Sequence, residues 1–428
     1  MNKVLIITSH YPPSNLAGVH RARLFAQHLP SFGWEPIILT VDEKYYEEIL
    51  DWNLFKLLPT NQRIEKVTAF TITKPRLIGD TGLRAFFQLR RKALKIIRAE
   101  KIDFVYIPIP SFYLALIGPY LKKKTGIKYG IDYIDPWVHF FPGSDKWLSR
   151  HWLTTQIAKL LEPIAIKEAS LITGVAEGYY RGVLLRNPDI ENSCIVGSMP
   201  YGGEILDHVI AISLNQKSYL FKKSTKFQIV YAGAMLPKAY DLLEIIFSEI
   251  SKQLIKFDQI EFHFIGTGKT PNDPIGFNIK PLAQKYGLWE TIVFEYPKRI
   301  PYLDVLIHLN VADAIFVLGS TESHYSPSKV YQAVLSKKFI YAVLHKDSTA
   351  VKVIDKSGSG YVLTFDLETG INNVRDDFAH SFLDFIEQNS IKQYPSNNTY
   401  QFNEFSAKAV TEKLSLLLDK AILTNRNF

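Results

Sequence analysis

The sequence predicts an α/β protein built from two doubly wound parallel-sheet domains that face each other across a cleft. The chain has 428 residues, and a chain of this length ordinarily folds into more than one domain, each with its own hydrophobic core. Short apolar runs alternate with longer amphipathic segments, and this alternation restarts near residue 227. Continuous apolar runs are typical of parallel strands that helices cover on both faces. The length and the restart together predict two domains of similar architecture.

The first half alternates strand and helix from its beginning. KVLIIT reads as a buried strand, GVHRARLFAQHLPSFG as a helix and EPIILTV as the next strand. The basic helix LRAFFQLRRKALKIIRAEK precedes the strand IDFVYIPIP, and LALIGPYLKKKTG precedes IKYGIDYIDP. A long helix over 149–169 then leads into the strand SLITGV. We assign residues 1–200 to an N-terminal Rossmann-like domain and residues 201–226 to an interdomain connection.

The second half repeats the pattern. The strands are KFQIVYAGAM, IEFHFIG, ETIVFEYP, DAIFVLGS and FIYAVLH, and helices such as YDLLEIIFSEISKQL lie between them. We assign residues 227–400 to a C-terminal Rossmann-like domain. Residues 401–428 form a final amphipathic helix that we expect to pack back toward the N-terminal domain.

The composition favours a cytoplasmic protein with an anionic partner. A single cysteine excludes an intramolecular disulfide, and no apolar run is long enough to span a membrane. The formal net charge is +8. The basic helix over 83–101 is either a solvated helix face or a patch for peripheral contact with the inner face of an anionic membrane. Nucleic acid is not expected as a partner, because the chain has no basic groove interleaved with aromatic residues.

The stretch ESHYSPSKVYQAVLSKKF places a lysine where a helix normally disfavours one. Ser326 is predicted as the N-cap, Pro327 as the first helical residue, and Lys329 lies in the first turn. An anion bound by this lysine would explain its position. Lys238 also lies at a predicted helix start in this domain, so the two cations together suggest a diphosphate.

Two loops of the first half carry further candidates. His20 and Arg21 follow Gly18 near a helix start and could meet a phosphate or a carboxylate. Asp132 and Asp135 follow a strand and could orient a substrate hydroxyl, although an Asp before Pro is also an ordinary turn residue. GTGKT is not a phosphate-binding P-loop, because the upstream glycine is missing and a proline follows. We expect neither a metal nor a cofactor.

These segments together resemble the GT-B glycosyltransferases, in particular the retaining family 4. The N-terminal domain matches in KVLIITSHYPPSNLAGVHRARLFAQHLPSFGWEPIILT, EKIDFVYIPIP, IDYIDPW and ASLITGVAEGY. The C-terminal domain matches in IVYAGAMLPKAYDLL, FHFIGTG and SPSKVYQAVLSKKFIYAVL. The resemblance implies a nucleotide-sugar donor bound by the C-terminal domain and a glycan or lipid-linked acceptor bound by the N-terminal domain.

The resemblance also implies roles for individual residues. The implied donor-binding residues are Gly18, Gly233, Lys238, Gly266, Gly268, Glu322, Ser326, Ser328, Lys329 and Gln332. The acceptor-binding residues are His20, Arg21, Asp132 and Asp135, and the catalytic residues are Asp135, Lys238 and Lys329.

The resulting hypothesis is a retaining glycosyltransferase of surface polysaccharide biosynthesis. His324 and Gln332 stand where the family usually has two glutamates, and Ala234 stands where it often has an arginine. These differences motivate an alternative, a non-catalytic partner subunit that binds a sugar nucleotide. A nucleotide-sugar epimerase on the same fold is a second alternative.

Overall fold

The computed structural model describes residues 1–73, 79–138, 146–190, 193–270, 273–322, 325–366, 368, 370–391 and 402–423. The chain divides into two compact units. The first comprises Met1–Tyr201 together with Ala407–Phe428, and the second comprises Gly202–Ser406. Each unit contains one parallel sheet, and the predicted fold class is confirmed.

The first unit is built on a seven-stranded parallel sheet in the order β3-β2-β1-β4-β5-β6-β7. Its strands are β1 Asn2–Ile7, β2 Trp34–Val41, β3 Arg63–Val67, β4 Phe104–Pro108, β5 Lys128–Tyr133, β6 Leu171–Gly174 and β7 Ile195–Ser198. The inner strands β1 and β4 are mostly apolar, and residues 4–7 of β1 and all of β4 are buried, because helices cover both of their faces.

Helices cover this sheet in two layers. They are α1 Ala17–His28, α2 Thr81–Arg84, α3 Phe86–Ala99, α4 Ile117–Thr125, α5 Arg150–Ile166 and α6 Glu177–Arg186. Leu89 of α3, Leu121 of α4 and Ala158 of α5 belong to the hydrophobic core on one face of the sheet. Phe25 of α1 belongs to the core on the other face.

The last helix of the described chain also covers the first unit. It spans Ala407–Leu423, and its Leu414 and Leu418 are fully buried in the same core as Phe25. The Trp34 indole Nε1–H donates a hydrogen bond of 3.0 Å to Asp419 Oδ1.

The second unit contains a six-stranded parallel sheet in the order β10-β9-β8-β11-β12-β13. Its strands are β8 Phe227–Ala232, β9 Ile260–Ile265, β10 Val293–Tyr296, β11 Ala314–Leu318, β12 Phe339–His345 and β13 Gly360–Phe365. Its helices are α7 Ile205–Ser213, α8 Tyr240–Lys252, α9 Leu254–Phe257, α10 Lys280–Lys285, α11 Tyr302–Val311, α12 Lys329–Leu335, α13 Thr349–Ser357 and α14 Asn372–Ile391; the helix Ala407–Leu423 of the first unit is therefore α15.

The segment 201–226, which the sequence suggests is a connection, contains a helix of the second unit. Helix α7 packs on α11, and the Tyr302 hydroxyl donates a hydrogen bond of 2.8 Å to Asp207 Oδ2. The side chain of His308, also on α11, accepts hydrogen bonds from the backbone N–H groups of Tyr219 and Leu220 at 3.2 Å. These contacts explain why a weakly patterned sequence is ordered here.

Both sheets reverse their strand order beside their first strand, between β1 and β4 and between β8 and β11. Ligands of open parallel sheets bind beyond the carboxyl ends of the strands at such a switch point. Within the described residues, no helix is long and apolar enough to cross a bilayer.

Candidate functional site

The switch point of the second unit is formed by tight turns after its strands. Strand β8 ends at Ala232, and Gly233 follows with a φ of +111°, a conformation that side chains with a Cβ rarely adopt. The Gly233 N–H donates a hydrogen bond of 2.8 Å to the Ile265 carbonyl at the end of β9. The backbone of Gly233 is therefore held at the edge of the sheet, and the residue contributes no side chain of its own there.

The ammonium group of Lys329 lies directly beside this glycine. A Cβ atom added to Gly233 would lie 3.5 Å from Lys329 Nζ. Nζ also lies 3.5 Å from the centroid of the Tyr231 ring. Part of the lysine side chain is exposed, but Nζ itself is buried and has no hydrogen-bond partner in the described chain.

Burial lowers the pKa of Lys329 to about 7 because desolvation disfavours the charged form of the ammonium group. The Tyr231 ring offers a cation–π contact, which contributes about 1–2 kcal/mol when it is desolvated. This contact supplies none of the three hydrogen bonds that an ammonium group can donate. The arrangement suits an anion that accepts them.

Lys238 lies in a different environment. It belongs to a short 3₁₀ turn, Pro237–Ala239, and its Nζ lies 3.1 Å from Glu322 Oε1. The lysine side chain is 45% exposed. The backbone N–H of Glu322 also donates to Ser320 Oγ at 3.1 Å. The two candidate lysines therefore differ, since one ammonium is buried with no hydrogen-bond partner among the described residues and the other forms a surface ion pair.

The predicted start of the helix that carries Lys329 is wrong by two residues. Ser328, not Ser326, occupies the N-cap position, and its side chain makes no capping hydrogen bond. Ser326 Oγ instead accepts hydrogen bonds from Thr349 N at 3.2 Å and Thr349 Oγ1 at 2.7 Å. Ser326 thus binds the beginning of α13, so its hydroxyl does not point toward a ligand.

Gln332 is also engaged by the protein. Its Oε1 lies 2.9 Å from Nε2 of His208 on α7. Burial lowers the pKa of His208, which keeps this imidazole neutral. A donor group that contacts Gln332 Oε1 would therefore compete with His208. His324 lies outside the described residues.

A cavity of about 450 Å³ opens beside the turns that follow β8 and β9. It is lined by Ala234, Met235, Pro237, Tyr240, Gly266, Gly268, Lys269, Asn278 and Arg299. Gly266 has a φ of +71°, and a Cβ on Gly268 would come within 2.7 Å of the Pro297 carbonyl oxygen. The Tyr240 hydroxyl is buried and unpaired within the described residues. The cavity combines glycine backbone, one hydroxyl and two cationic side chains.

Glu295 holds one wall of this cavity in place. Its carboxylate accepts hydrogen bonds from Thr267 Oγ1 at 2.9 Å and from the backbone N–H groups of Ile279 at 2.9 Å and Lys280 at 2.8 Å. It therefore caps α10. No motif in the sequence points to Glu295, Tyr231, Tyr240, Asn278 or Arg299 as site residues. A charged residue inside the apolar strand VFEY was the available signal for Glu295.

In the first unit, Arg21 and Asp132 pair with each other instead of facing a substrate. Arg21 Nη2 donates to Asp132 Oδ1 at 2.9 Å and Nε donates to Oδ2 at 2.5 Å. Nη1 donates to the carbonyls of Met199 and Pro200, both at 2.9 Å. Both side chains are completely buried. The predicted acceptor contacts of Arg21 and Asp132 are thus corrected to a structural ion pair.

Gly18 and His20 lie on the first turn of α1. Gly18 is buried, and a Cβ there would lie 3.2 Å from Pro110 Cγ and 3.4 Å from Ile134 Cδ1. Its small size therefore permits close helix packing inside the first unit. His20 is partly exposed, and its Nε2 lies 3.1 Å from Asn15 Oδ1.

Asp135 lies two residues after the end of strand β5, and its side chain contacts solvent. The surrounding protein still desolvates the carboxylate enough to raise the pKa of Asp135 to about 6. A carboxylate with such a pKa changes charge close to neutral pH, as catalytic and substrate-orienting groups commonly do. No cluster of three or more potential metal ligands occurs among the described residues.

Comparison with known proteins identifies the fold. No family model matches this chain, and no curated protein does. Solved structures match over almost the whole chain. HepE of Anabaena, solved with UDP and glucose, aligns with a TM-score of 0.61 and 13% identity over 98% of this chain and 100% of its own. Sucrose-phosphate synthase of Thermosynechococcus elongatus aligns with a TM-score of 0.60 and 13% identity over 98% and 99%.

A lower similarity is found to a protein of Listeria monocytogenes assigned as a UDP-N-acetylglucosamine 2-epimerase. Its TM-score is 0.51 and its identity is 10%, over 99% of this chain and 98% of its own. The resemblance found in the sequence is thereby confirmed at the level of the fold, and this chain has the GT-B fold.

Proposed function

We propose that the chain is a glycosyltransferase that takes a sugar from a nucleoside diphosphate donor and transfers it with retention of anomeric configuration. The observation that carries this proposal is the buried, unpaired ammonium of Lys329 beside the bare backbone of Gly233. A diphosphate supplies the missing acceptors, and each charge-assisted hydrogen bond contributes about 1.5–3 kcal/mol. HepE, which has the same fold, was solved with UDP and with UDP-glucose, which supports this class of ligand.

In this proposal the nucleoside occupies the cavity beside the turns after β8 and β9. Gly266 and Gly268 let a ring approach the backbone closely, and the Tyr240 hydroxyl provides a hydrogen bond. The diphosphate then lies toward Gly233 and Lys329, with Ser328 at the start of α12 as a further contact. Lys238 reaches the diphosphate only if it exchanges Glu322 for a phosphate oxygen.

The chemistry rests on stabilisation of the leaving group. The bond from the sugar C1 to the phosphate oxygen breaks, and a bond from C1 to the acceptor oxygen forms on the same face of the sugar. The acceptor proton passes to the departing phosphate. Lys329 donates hydrogen bonds to the phosphate as its negative charge increases. This route requires no protein carboxylate at the positions of His324 and Gln332.

Asp135 is the proposed acceptor contact. It is the candidate carboxylate of the first unit that remains exposed, since Asp132 is buried against Arg21. Above its pKa it accepts a hydrogen bond from an acceptor hydroxyl and orients it. His20, partly exposed on α1, is the second proposed contact. The proposed acceptor is a glycan or lipid-linked glycan of a surface polysaccharide.

The test is a turnover assay with UDP-, GDP-, ADP- and TDP-sugars, each with and without a pool of glycan and lipid-linked acceptors. We expect acceptor-dependent release of one nucleoside diphosphate, retention at the anomeric carbon by NMR, and at least a tenfold loss in Lys329→Met. Lys285→Met is the matched control, because Lys285 is an exposed partner of Glu244 in the same unit.

Other outcomes would contradict the proposal. Conversion of the donor sugar without any acceptor would identify the epimerase alternative. Nucleotide binding with no turnover in any acceptor pool would identify the non-catalytic partner subunit. Equal activity of Lys329→Met and the wild type would remove the basis of the proposed donor site.

A further inference from the structure

The first unit exposes large apolar side chains along one helix. Leu153, Leu160 and Ile164 of α5 are 51%, 68% and 52% exposed. At 3.6 residues per turn they fall within about 40° of one another, so they form a single stripe. Trp147 and Leu148, just before this helix, are 74% and 64% exposed. Contiguous exposed apolar residues of this size mark an interaction surface.

A basic stripe lies on α3 in the same helix layer. Helix α4 packs against both α3 and α5, so the three helices cover one face of the sheet side by side. Arg91, Lys95 and Arg98 of α3 are exposed and follow i, i+4, i+7 spacing. The exposed Phe87 lies one turn before Arg91, and α4 adds the exposed Lys123 and Lys124.

This layer carries almost no acidic charge. Helix α3 contains five Lys or Arg residues, α4 contains three and α5 contains two. Glu162 is the only acidic residue in these three helices, and it is buried against Arg186. Glu100, which follows α3, is paired with Arg63 and Lys3. The outer face of α3, α4 and α5 is therefore both apolar and strongly positive.

We propose that the outer face of α3, α4 and α5 docks on an anionic lipid bilayer. Lys and Arg side chains near such a surface are attracted by its negative potential, and Trp and Leu side chains insert at the headgroup boundary. Two copies of this face would repel each other, which disfavours a homodimer. A nucleic acid would neutralise the basic stripe but would leave the aliphatic stripe of α5 exposed. An anionic bilayer would contact the basic stripe through its headgroups and the aliphatic stripe through its apolar interior.

This inference is independent of the donor site, so the two can fail separately. Binding is measured by co-sedimentation of the full-length protein, without nucleotide, with vesicles of phosphatidylcholine alone or with about 30% phosphatidylglycerol. We expect binding to the anionic vesicles at low salt and a steep loss as salt increases. The triple variant Arg91→Glu, Lys95→Glu, Arg98→Glu should bind about a hundredfold more weakly.

The controls separate this face from overall charge. The control is a second triple variant, Lys408→Glu, Lys413→Glu and Lys352→Glu, which changes the net charge by the same amount. Its substitutions lie on α15 and on α13 of the second unit. This variant should bind anionic vesicles nearly as well as the wild type. Leu160→Gln should bind anionic vesicles roughly tenfold more weakly, because it removes an apolar side chain that would insert into the bilayer. All these side chains are exposed, so unfolding temperatures should not change.

Three outcomes would overturn the proposal. The first is equal binding to neutral and anionic vesicles at low salt. The second is an equal loss in the two triple variants, which would show a response to net charge alone. The third is a dimer that Leu160→Gln dissociates, accompanied by no vesicle binding, which would show that a second copy covers the face.

Discussion

At the scale of single residues, the candidate site depends on how the environment changes the chemistry of two lysines. Lys238 is exposed and paired with Glu322, whereas Lys329 has a buried ammonium over the Tyr231 ring. A lysine held this way is costly for the unliganded protein, because charging it requires desolvation without a counter-ion. Such a cost is common where a site is preorganised for an anionic ligand.

Replacing Lys329 by methionine should therefore stabilise the unliganded protein. The pKa of Lys329 is about 7 in the folded state and about 10.4 in the unfolded state. Between these values the unfolded chain holds a proton that the folded chain lacks, so the unfolding free energy of the wild type rises with pH. Methionine does not titrate, so Lys329→Met should be more stable than the wild type by about 4 kcal/mol at pH 7. Urea unfolding from pH 7 to pH 9 in phosphate-free buffer measures the difference.

Lys285→Met serves as the control, because Lys285 is on the surface. We expect the stability advantage of Lys329→Met to shrink as pH rises toward 10. A destabilised Lys329→Met, or a difference that does not vary with pH, would show that the ammonium is not held unpaired in the protein.

The pKa of Asp135 predicts how kcat/KM depends on pH on the acid side of the pH profile. Its pKa of about 6 means that it is protonated below pH 6 and carries its charge above it. If the carboxylate orients the acceptor, kcat/KM should rise through pH 6 and then level off. Asp135→Asn should lower kcat/KM about 10- to 100-fold and abolish this limb. An unchanged limb in Asp135→Asn would assign it to another group.

At the scale of elements, the turns after the strands determine what can approach the sheet edge. Gly233 has a φ of +111° and lies against Lys329. Gly233→Ala should strain this turn by about 1–2 kcal/mol and place a methyl group in van der Waals contact with the ammonium, where it would obstruct a phosphate, so that nucleoside diphosphate affinity falls about tenfold. Isothermal titration calorimetry measures this loss.

Gly287→Ala is the matched control for backbone strain. Gly287 also has a positive φ, +68°, but a Cβ there would meet no atom within 4 Å. We expect a similar loss of stability with unchanged affinity. Equal losses of affinity in both variants would show a general effect of destabilisation instead of a local one.

The sequence predicts elements better than their ends. The long predicted helix over 149–169 is found at Arg150–Ile166 with Ser149 as its N-cap, because Ser149 Oγ accepts from Trp152 N. The helix predicted to begin near Ser326 begins at Lys329 instead. Ser326 has a competing partner, Thr349, which is 23 residues away, and local propensity cannot reveal such a contact.

At the scale of the whole molecule, the two-sheet architecture follows from hydrophobic periodicity, but the use of polar residues inside it does not. Arg21 and Asp132 are 111 positions apart and look like ligand-binding residues in sequence, yet they meet in the interior of the first unit. Tyr231 and Arg299 could not be predicted as site residues for the same reason, because their surroundings are formed by segments that are distant in sequence. Which charge is paired depends on contacts between distant segments, whereas the alternation of strands and helices is local.

The most direct test of the account is calorimetric titration of Lys329→Met and the wild type with whichever of UDP, GDP, ADP and TDP stabilises the wild type most. Measurements at pH 7.5 and pH 9.0 keep the terminal phosphate ionised at both values. Binding should require Lys329 to take up a proton, so wild-type affinity should fall about 20-fold between the two. Lys329→Met should bind at least tenfold more weakly at pH 7.5 and should show no such fall. Equal affinities of the two proteins, with the same pH dependence, would contradict the assignment of Lys329 to the donor diphosphate.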